Sequence, residues 1–443
     1  MHRDIELIYQ NTSGVGTAEF EAGKEAMKDY IKFMWDVARA DDYGEPESSM
    51  NLPLDDGFKD FLVKKIQEKR NKELKHIIVV GIGGSNMGTM ALCRALEGRL
   101  GVFLKANAPK IVFVDTVSPP LMAQVTDFLN NQVKSPEEIL VNVISKSGET
   151  TETIANFEVI YQALKNRFGE KVNERLVFTT DKGSKLWNEA ESRKLDLLEV
   201  PKEVGGRYSA LSAVGLFPLG LADFNIQGFW DGAGEMTKRC LSEDVYQNPA
   251  LISAIITYFN YRKGFNIYNS FYFNPELKSL GKWYTQLMAE SIAKEFNLNG
   301  EKINVGITPI VSIGSTDLHS MATLFLGEPR NKFTQFVHAS QKENSPVVPK
   351  ELFLPGLVPD IAGKSIAEIM NAIYYGVKIA FIKNALPYTE LVLHEVSESS
   401  LGQYLQLKMC ETMYLARLIG VNAFDQPKVE EYKRETREIL KKL

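Results

Sequence analysis

The chain has 443 residues, and its 51 lysines and arginines set against 56 aspartates and glutamates give a formal net charge of −5 at pH 7. This length exceeds what one hydrophobic core usually supports, so the sequence predicts two domains. The mildly acidic balance excludes the nucleic-acid-binding class, which needs a basic surface to neutralise phosphates. The 44% of hydrophobic and 24% of charged residues are typical of a folded globular protein and exclude a disordered one.

The cysteines and the first residues indicate the compartment. Cys93, Cys240 and Cys410 lie far apart and form no Cys-x-x-Cys pair, so neither a disulfide framework nor a zinc site is predicted. The first ten residues, MHRDIELIYQ, carry charge where a signal peptide needs an apolar core. No stretch reaches the ~18 apolar residues of a membrane span. We therefore expect a cytoplasmic protein whose three thiols are buried or inert.

Strands and helices alternate in the first half of the chain. The three- and four-residue spacing of apolar side chains predicts helices over residues 22–40, 60–72, 87–96, 121–129 and 151–164. Apolar runs predict strands over residues 76–80, 110–115, 139–145, 175–181 and 196–201. Continuous apolar strands that alternate with helices are typical of a parallel sheet covered on both faces.

The second half repeats this pattern less regularly. Helices are predicted over residues 211–221, 277–296, 402–418 and from Pro427 onward. Strands are predicted over residues 265–273, 303–311, 332–338 and 390–396. These elements predict a second α/β unit, and the boundary between the two units is expected near residues 225–245.

Two predicted strands end in glycine and hydroxyl residues at the point where a helix begins. The first is GIGGSNMG at residues 81–88, and the second is SKSGETTET at residues 145–153. Backbone amides at a helix N-terminus, together with hydroxyls and a lysine, suit a phosphate monoester held without metal. N-capping would explain either turn alone. Two such turns at the carboxyl ends of parallel strands favour a ligand site.

The first of these turns fits neither common nucleotide motif. Asn86 stands where a dinucleotide fingerprint needs its third glycine, and Thr89 stands where a P-loop needs its lysine. What remains is a turn whose glycines permit close approach and whose backbone amides face an anion.

Four side chains are candidates for acid–base chemistry. Arg207 lies beside two glycines in GGRYSALSAVG, and Glu290 is flanked by apolar residues on a predicted helix, so that its side chain is expected to be partly buried. His319 follows a glycine-containing strand end, and Lys433 lies on the apolar stripe of the last helix. The alternative for Arg207 is a surface salt bridge, and for Glu290 a solvated carboxylate. For Lys433 it is a side chain whose stem lies on apolar surface while its ammonium reaches water. No compact grouping of His, Asp and Glu occurs, so no catalytic metal is predicted.

Six strings, in this order along the chain, resemble the glucose-6-phosphate isomerase family in its short bacterial form: GIGGSNMG, SKSGETTET, GGRYSALSAVG, MAESIAKE, GSTDLHS and NAFDQPKVEEYK. The resemblance implies an α/β fold with two sugar-isomerase (SIS) domains, each a flavodoxin-like parallel sheet. It implies an N-terminal helical arm, the two domains and a C-terminal helical arm over residues 1–49, 50–225, 226–420 and 421–443. It also implies a homodimer that needs no metal and no organic cofactor.

The resemblance further implies the reaction and the residues that carry it. The reaction is the reversible isomerisation of glucose 6-phosphate and fructose 6-phosphate through a cis-enediol, a step of glycolysis and gluconeogenesis. Glu290 would be the base that moves a proton between carbons 1 and 2, and Arg207 the cation that stabilises the enediolate and keeps the base ionised. His319, offered across the dimer interface, and Lys433 would open the sugar ring. The residues that would bind the sugar or its phosphate are Gly84, Ser85, Ser145, Lys146, Ser147, Thr150 and Gln426.

A few positions depart from the family pattern. Ala293 and Lys428 stand where glycine is common, and Ala322 and Thr323 replace a Gly-Gln pair. Alanine in place of glycine restricts positive φ but removes no donor or charge. These changes lie beside the proposed chemistry rather than in it.

Two other functions fit parts of the pattern. One is a related SIS isomerase that acts on amino-sugar or mannose-type phosphates. The other is a sugar-phosphate sensor without catalysis, because a fold does not fix a function. A sensor would keep the Ser145–Thr150 turn but would not need all four acid–base candidates, so the isomerase is preferred.

Overall fold

Two five-stranded sheets, each flanked by helices, form the framework. The computed structural model describes residues 5–40, 42–98, 100–101, 108–340 and 345–443, so the first four residues of the predicted N-terminal arm lie outside it. The strands in this part are β1 (Glu6–Ile8), β2 (His76–Val80), β3 (Lys110–Val114), β4 (Ile139–Ile144), β5 (Leu176–Thr180), β6 (Asp196–Glu199), β7 (Ile267–Tyr272), β8 (Lys294–Phe296), β9 (Lys302–Val305), β10 (Thr308–Ile313), β11 (Lys332–Ala339) and β12 (Tyr388–Leu393).

The α-helices of the described residues lie between and after these strands. They are α1 (Thr17–Ala40), α2 (Asp56–Lys69), α3 (Met87–Glu97), α4 (Pro119–Asn131), α5 (Thr151–Phe168), α6 (Lys185–Ser192), α7 (Ala213–Leu221), α8 (Ile226–Cys240), α9 (Pro249–Arg262), α10 (Lys278–Ile292), α11 (Leu318–Leu326), α12 (Ile366–Lys383), α13 (Glu398–Ile419) and α14 (Pro427–Leu440). The helices predicted in the first half correspond to α1 to α5, with ends that differ by a few residues.

The first sheet has the order β3-β2-β4-β5-β6, and all of its strands are parallel. Its strand β2 places Ile78 beside Val112 on β3 and Val141 on β4. Counted along the chain from β2, this is the strand order of flavodoxin-like folds. The predicted α/β class with a flavodoxin-like parallel sheet is confirmed here.

The strands of this sheet are apolar throughout because both of their faces are covered. On one face Ile78 and Val141 pack in a core that includes Leu129 of α4. On the other face Ile77 packs in a core that includes Leu92 of α3. Burying each such side chain contributes about 1.5–3 kcal/mol. The loops at the carboxyl edge of the sheet are therefore held on a rigid base.

The second sheet has the order β1-β12-β11-β7-β10. Its strands β10, β7, β11 and β12 are parallel, and β1 from the N-terminal arm joins the edge antiparallel to β12. The four parallel strands repeat the order of the first four strands of the first sheet. This confirms the predicted second parallel-sheet unit, although the sequence pattern did not predict its N-terminal edge strand.

Two predicted boundaries in the second unit are wrong. The helix predicted to reach residue 296 ends at Ile292, because Ala293 takes extended backbone with ψ 105°. The strand predicted over residues 303–311 is two strands: β9 pairs antiparallel with β8, and only β10 joins the large sheet. Apolar runs do not distinguish one strand from two strands that follow each other closely.

Helix α13 lies in the middle of the molecule. Every residue from Ser399 to Ala416 is buried, because α8, α9 and α1 pack around it. By contrast, α14 has no buried residue at all. Of the predicted domain limits, residues 225 and 420 fall between helices, and residue 49 falls in the 3₁₀ turn Pro46–Asn51; the limits themselves stay a prediction.

The described helices include none with the length and apolarity to traverse a bilayer. Cys93, Cys240 and Cys410 are all buried and form no disulfide. The prediction of buried thiols is confirmed.

Candidate active site

Three loops meet at the carboxyl edge of the first sheet. The 3₁₀ turn Gly83–Ser85 follows β2, residues 145–150 follow β4, and the 3₁₀ turn Gly206–Tyr208 comes after β6. A Cβ on Gly84 would lie only 2.3 Å from the carbonyl carbon of Gly206. Only glycine therefore allows the first and third loops to touch, backbone against backbone. The half-buried Ser85 lies in the same turn.

The second loop is a turn lined by hydroxyls. The Ser145 and Thr150 hydroxyls are hydrogen-bonded at 2.9 Å, and the Thr150 N–H donates to Ser145 Oγ at 3.4 Å. Gly148 closes the turn with φ +72°, where side chains are strained. Ser147 is exposed at the tip. Because α5 begins at Thr151, its first N–H groups and positive dipole end face this turn.

Lys146 lies half-buried in the hydroxyl turn and joins it to the segment between β6 and the third loop. Its Nζ donates to the carbonyl oxygen of Lys202 at 2.6 Å. Burial lowers the pKa of its ammonium, the charges of Asp181 and Glu203 raise it, and the nearby Arg207 guanidinium lowers it. Burial also raises the pKa of the Asp181 carboxyl to about 6. Oδ1 of Asp181 is buried and has no hydrogen-bond partner within the described ranges.

Arg207 is the most constrained side chain of the site, since it is only 4% exposed. A guanidinium has five N–H donors. All five are used, and they donate to Ser291 Oγ at 2.8 Å, Glu290 Oε2 at 3.3 Å, Gln426 Oε1 at 3.3 Å, Ala423 O at 2.6 Å and Asp425 O at 3.1 Å. The alternative of an exposed surface salt bridge is wrong, because the arginine is buried and joins the first unit to α10 and to the start of α14.

Glu290 projects from the last turn of α10 toward this arginine, with 28% of its side chain exposed. Its Oε1 accepts from Gln286 Nε2 at 3.1 Å, and its Oε2 accepts from Arg207 Nη1. The carboxylate is therefore fixed on both oxygens while one side stays open to solvent. The predicted partial burial of Glu290 is confirmed.

Sequence reasoning missed Gln286. It lies one helical turn before Glu290, and the four-residue spacing on one helix could have indicated it. A Cβ on Gly83 would lie 3.0 Å from its Nε2, so the glutamine also packs against the first loop. Its Oε1 is buried, and no partner for it occurs in the described part of the chain.

The predicted ring-opening residues, His319 and Lys433, lie on two later helices. His319 is exposed in the first turn of α11, and Lys433 on α14 pairs with Glu430 at 2.8 Å. No hydrogen bond among the described residues joins either side chain to Glu290 or Arg207. Helix α14 nevertheless passes near the hydroxyl turn. The pKa of Glu149 in that turn is lowered first by its hydrogen bond to Lys185 and also by the charge of Arg437 on α14.

The described residues contain no group of three or more His, Cys, Asp or Glu side chains that could hold a metal ion. The polar groups of the site are hydroxyls, amides, the carboxyl groups of Glu290 and Asp181, and the cations Arg207 and Lys146. This set can bind an anion and move a proton next to a stabilised negative charge.

Solved structures with the same architecture are known. A hypothetical protein from Thermus thermophilus matches with a TM-score of 0.82 and 28% identity, covering 98% of this chain and 99% of that one. A glucose-6-phosphate isomerase from Chlamydia trachomatis matches with a TM-score of 0.81 and 23% identity, covering 98% of this chain and 88% of that one. The arrangement of both sheets is therefore shared with known proteins and not particular to this chain.

The amino-acid sequence has relatives over nearly the same extent. A glucose-6-phosphate isomerase of Carboxydothermus hydrogenoformans is 32% identical over 384 residues, covering 85% of this chain and 81% of the relative. A glucose-6-phosphate isomerase of Methanocaldococcus jannaschii is 30% identical over 401 residues, covering 89% and 92%. Residues 61–443 match the family model for phosphoglucose isomerase. This chain belongs to the phosphoglucose isomerase family.

Proposed function

We propose that this protein interconverts glucose 6-phosphate and fructose 6-phosphate. The observation that carries the proposal is the carboxylate of Glu290, which Gln286 and Arg207 hold between them at the edge where the three loops meet. A base next to a fixed cation is what proton removal beside a carbonyl requires. The named relatives supply the substrate class.

In the proposed reaction, Glu290 takes the proton from carbon 2 of the open-chain aldose and returns it to carbon 1. A proton moves from O2 to O1 meanwhile, so that a cis-enediol lies between aldose and ketose and all atoms balance. Negative charge develops on the oxygens next to Arg207. Because all five N–H groups of that arginine are already used, an enediolate oxygen would replace one of its two 3.3 Å partners, Glu290 or Gln426.

The phosphate would be bound by the hydroxyl turn. Ser145, Ser147 and Thr150 offer hydroxyls, and α5 offers its N-terminal amides. Lys146 adds a positive charge behind the turn. Gly84 and Ser85 would contact the sugar from the adjacent loop. With the 6-phosphate bound there, carbons 1 and 2 at the other end of the sugar would lie toward Glu290.

Ring opening by His319 and Lys433, and a homodimer that supplies the histidine, are part of the proposal. Among the described residues no hydrogen bond joins His319 to the cluster, and its side chain is exposed on α11. The exposed apolar residues of α12 and of the segment 351–358 are Ile366, Tyr375, Ile379, Ile382, Phe353, Leu354, Leu357 and Val358, and Phe353 is 97% exposed. Apolar surface of this extent supports a second copy as its cover.

The cytoplasm is the proposed location. Three buried, unbridged cysteines support it, because thiols stay reduced in that compartment.

A coupled assay of fructose 6-phosphate conversion, with a chelator present, tests the proposal. Turnover that survives the chelator is expected. Comparison with mannose 6-phosphate and glucosamine 6-phosphate separates the proposed enzyme from a related isomerase. Binding of the sugar phosphates without turnover of any of them would reveal a sensor and overturn the proposal.

A further inference from the structure

Lys294 lies directly behind the base. It follows α10 by two residues, and 5% of its side chain is exposed. Its Nζ donates to the carbonyl oxygen of Glu290 at 2.7 Å and to that of Asp425 at 2.7 Å, and it pairs with the Asp425 carboxylate at 2.9 Å. An ammonium has three N–H donors, and these three oxygens use them all. None is left for a substrate.

The two carbonyls that Lys294 holds belong to the two sides of the site. Glu290 O is among the last carbonyls of α10, which have no partner within the helix, and a cation there also complements the helix dipole. Asp425 O is the last carbonyl before Gln426, and Arg207 donates to it as well, at 3.1 Å. One buried ammonium therefore links Glu290, the proposed base, to Asp425. Asp425 directly precedes Gln426, whose side-chain amide accepts a hydrogen bond from Arg207.

Charge balance explains why a lysine is tolerated there. Burial lowers the pKa of the Lys294 ammonium, and the Asp425 carboxylate is the main group that raises it again. Arg207 lowers it and Glu290 raises it. These two cations and two carboxylates neutralise each other, so the cost of burying the ammonium is reduced.

We propose that Lys294 is a positioning residue: by holding the backbone carbonyls of Glu290 and Asp425 at once, it sets the distance between the carboxylate of Glu290 and the amide of Gln426. The inference rests on the proposed function of Glu290 as base. Its chemical consequence is specific. Loss of Lys294 displaces the base relative to the sugar carbons but leaves the hydroxyl turn of the first sheet untouched.

The experiment compares Lys294→Met, which is unbranched and close in size but cannot donate a hydrogen bond, with wild type. A misplaced base costs on the order of 10²-fold in rate. We expect kcat of the folded Lys294→Met protein to fall by about 10- to 100-fold, while KM and the affinity for inorganic phosphate, measured by titration calorimetry, change by less than about threefold. Wild-type turnover in the same assay shows separately whether the proposed function holds.

Lys332→Met is the matched control. Lys332 is also buried, and its Nζ also donates to a backbone carbonyl, that of Pro329, but it lies at the start of β11 in the second sheet. A purely structural role predicts that both variants lose stability and that neither changes kcat per folded molecule. Equal kcat for Lys294→Met and wild type, or an equal fall in both variants, would overturn the inference.

A second variant covers the case in which Lys294→Met does not fold. Lys294→Gln keeps two N–H donors at a shorter reach. We expect its kcat to be lowered with unchanged phosphate affinity, and to lie between those of wild type and Lys294→Met where both can be measured. A Lys294→Gln protein with wild-type kcat would contradict the proposed role.

Discussion

Arg207 and Glu290 are 83 residues apart in the chain, and a hydrogen bond of 3.3 Å from Nη1 to Oε2 joins them. The arginine follows the last strand of the first sheet, and the glutamate lies in the last turn of a helix of the second unit. Because the other donors of the guanidinium are anchored as well, the carboxylate is oriented before any substrate binds. Orientation in advance is what lowers the barrier of a proton transfer.

Glu290→Gln should abolish solvent exchange of the proton at carbon 2 of the sugar phosphate. An amide cannot accept that proton, yet it keeps the size of the carboxylate and one of its two acceptor oxygens. Binding of the 6-phosphate should stay close to wild type, because the hydroxyl turn is unchanged. Exchange followed by NMR in D₂O measures the first effect. Glu301→Gln, an exposed change of the same kind on the turn before β9, is the control, and full exchange in Glu290→Gln would remove Glu290 from the role of base.

Arg207→Lys should lower kcat by about 10²–10³-fold, the usual cost of losing one transition-state donor. Lysine keeps the charge but cannot serve five acceptors, so the enediolate and the anchored carbonyls would compete for three protons. Arg175→Lys is the control, because Arg175 also donates to backbone carbonyls, those of Ile139 and Lys69, at the opposite edge of the sheet. A loss confined to KM would contradict the role of the arginine.

Mixing two inactive variants tests the contribution of His319 from a second copy. If the proposed homodimer forms, the His319→Ala and Glu290→Gln proteins should each be nearly inactive on their own. If the histidine acts across the interface, unfolding and refolding equal amounts of the two variants together gives heterodimers with one complete site. Random pairing makes about half of the dimers heterodimers, so about a quarter of wild-type activity should return. If each chain used its own histidine, the mixture would stay inactive.

Asp181→Asn should stabilise the fold at neutral pH. The pKa of Asp181 is raised to about 6, which means that the folded state disfavours its charged carboxylate. The contribution of this group to the free energy of unfolding is therefore greatest below its ordinary pKa of 3.8 and is lost as the pH rises through 6. Asparagine cannot ionise, so its advantage should grow between about pH 4 and pH 6 to at most about 3 kcal/mol and stay constant at higher pH. Urea unfolding at several pH values measures this, with the exposed Asp60→Asn as control; a pH-independent difference would refute it.

Much of this protein could be predicted from local sequence. Runs such as HIIVV and ILVNVI indicate buried strands, because apolar side chains on both faces of a strand need cover on both faces. Glycine and hydroxyl residues at strand ends indicated the two turns, and the order of six motifs indicated the family. The partial burial of Glu290 also followed from its apolar neighbours on α10.

Contacts between distant segments could not be predicted in this way. Gln286 and Lys294 look like ordinary polar residues of a helix and its end, and only the packing of α10 against Gly83 and against residues 423–426 gives them partners. The division of residues 303–311 into two strands also depends on a partner, since β9 pairs with β8 rather than with the sheet.

The amino-acid sequence by itself determined the alternation of strands and helices, the turns at their ends and the types of acid, base and cation available. The tertiary structure alone decided which of them meet: that Arg207 is buried with five acceptors, and that His319 is exposed and makes no hydrogen bond to that cluster among the described residues. The physical reason is that periodicity and turn chemistry act within a few residues, whereas hydrogen bonds and burial depend on segments that only the folded chain brings together.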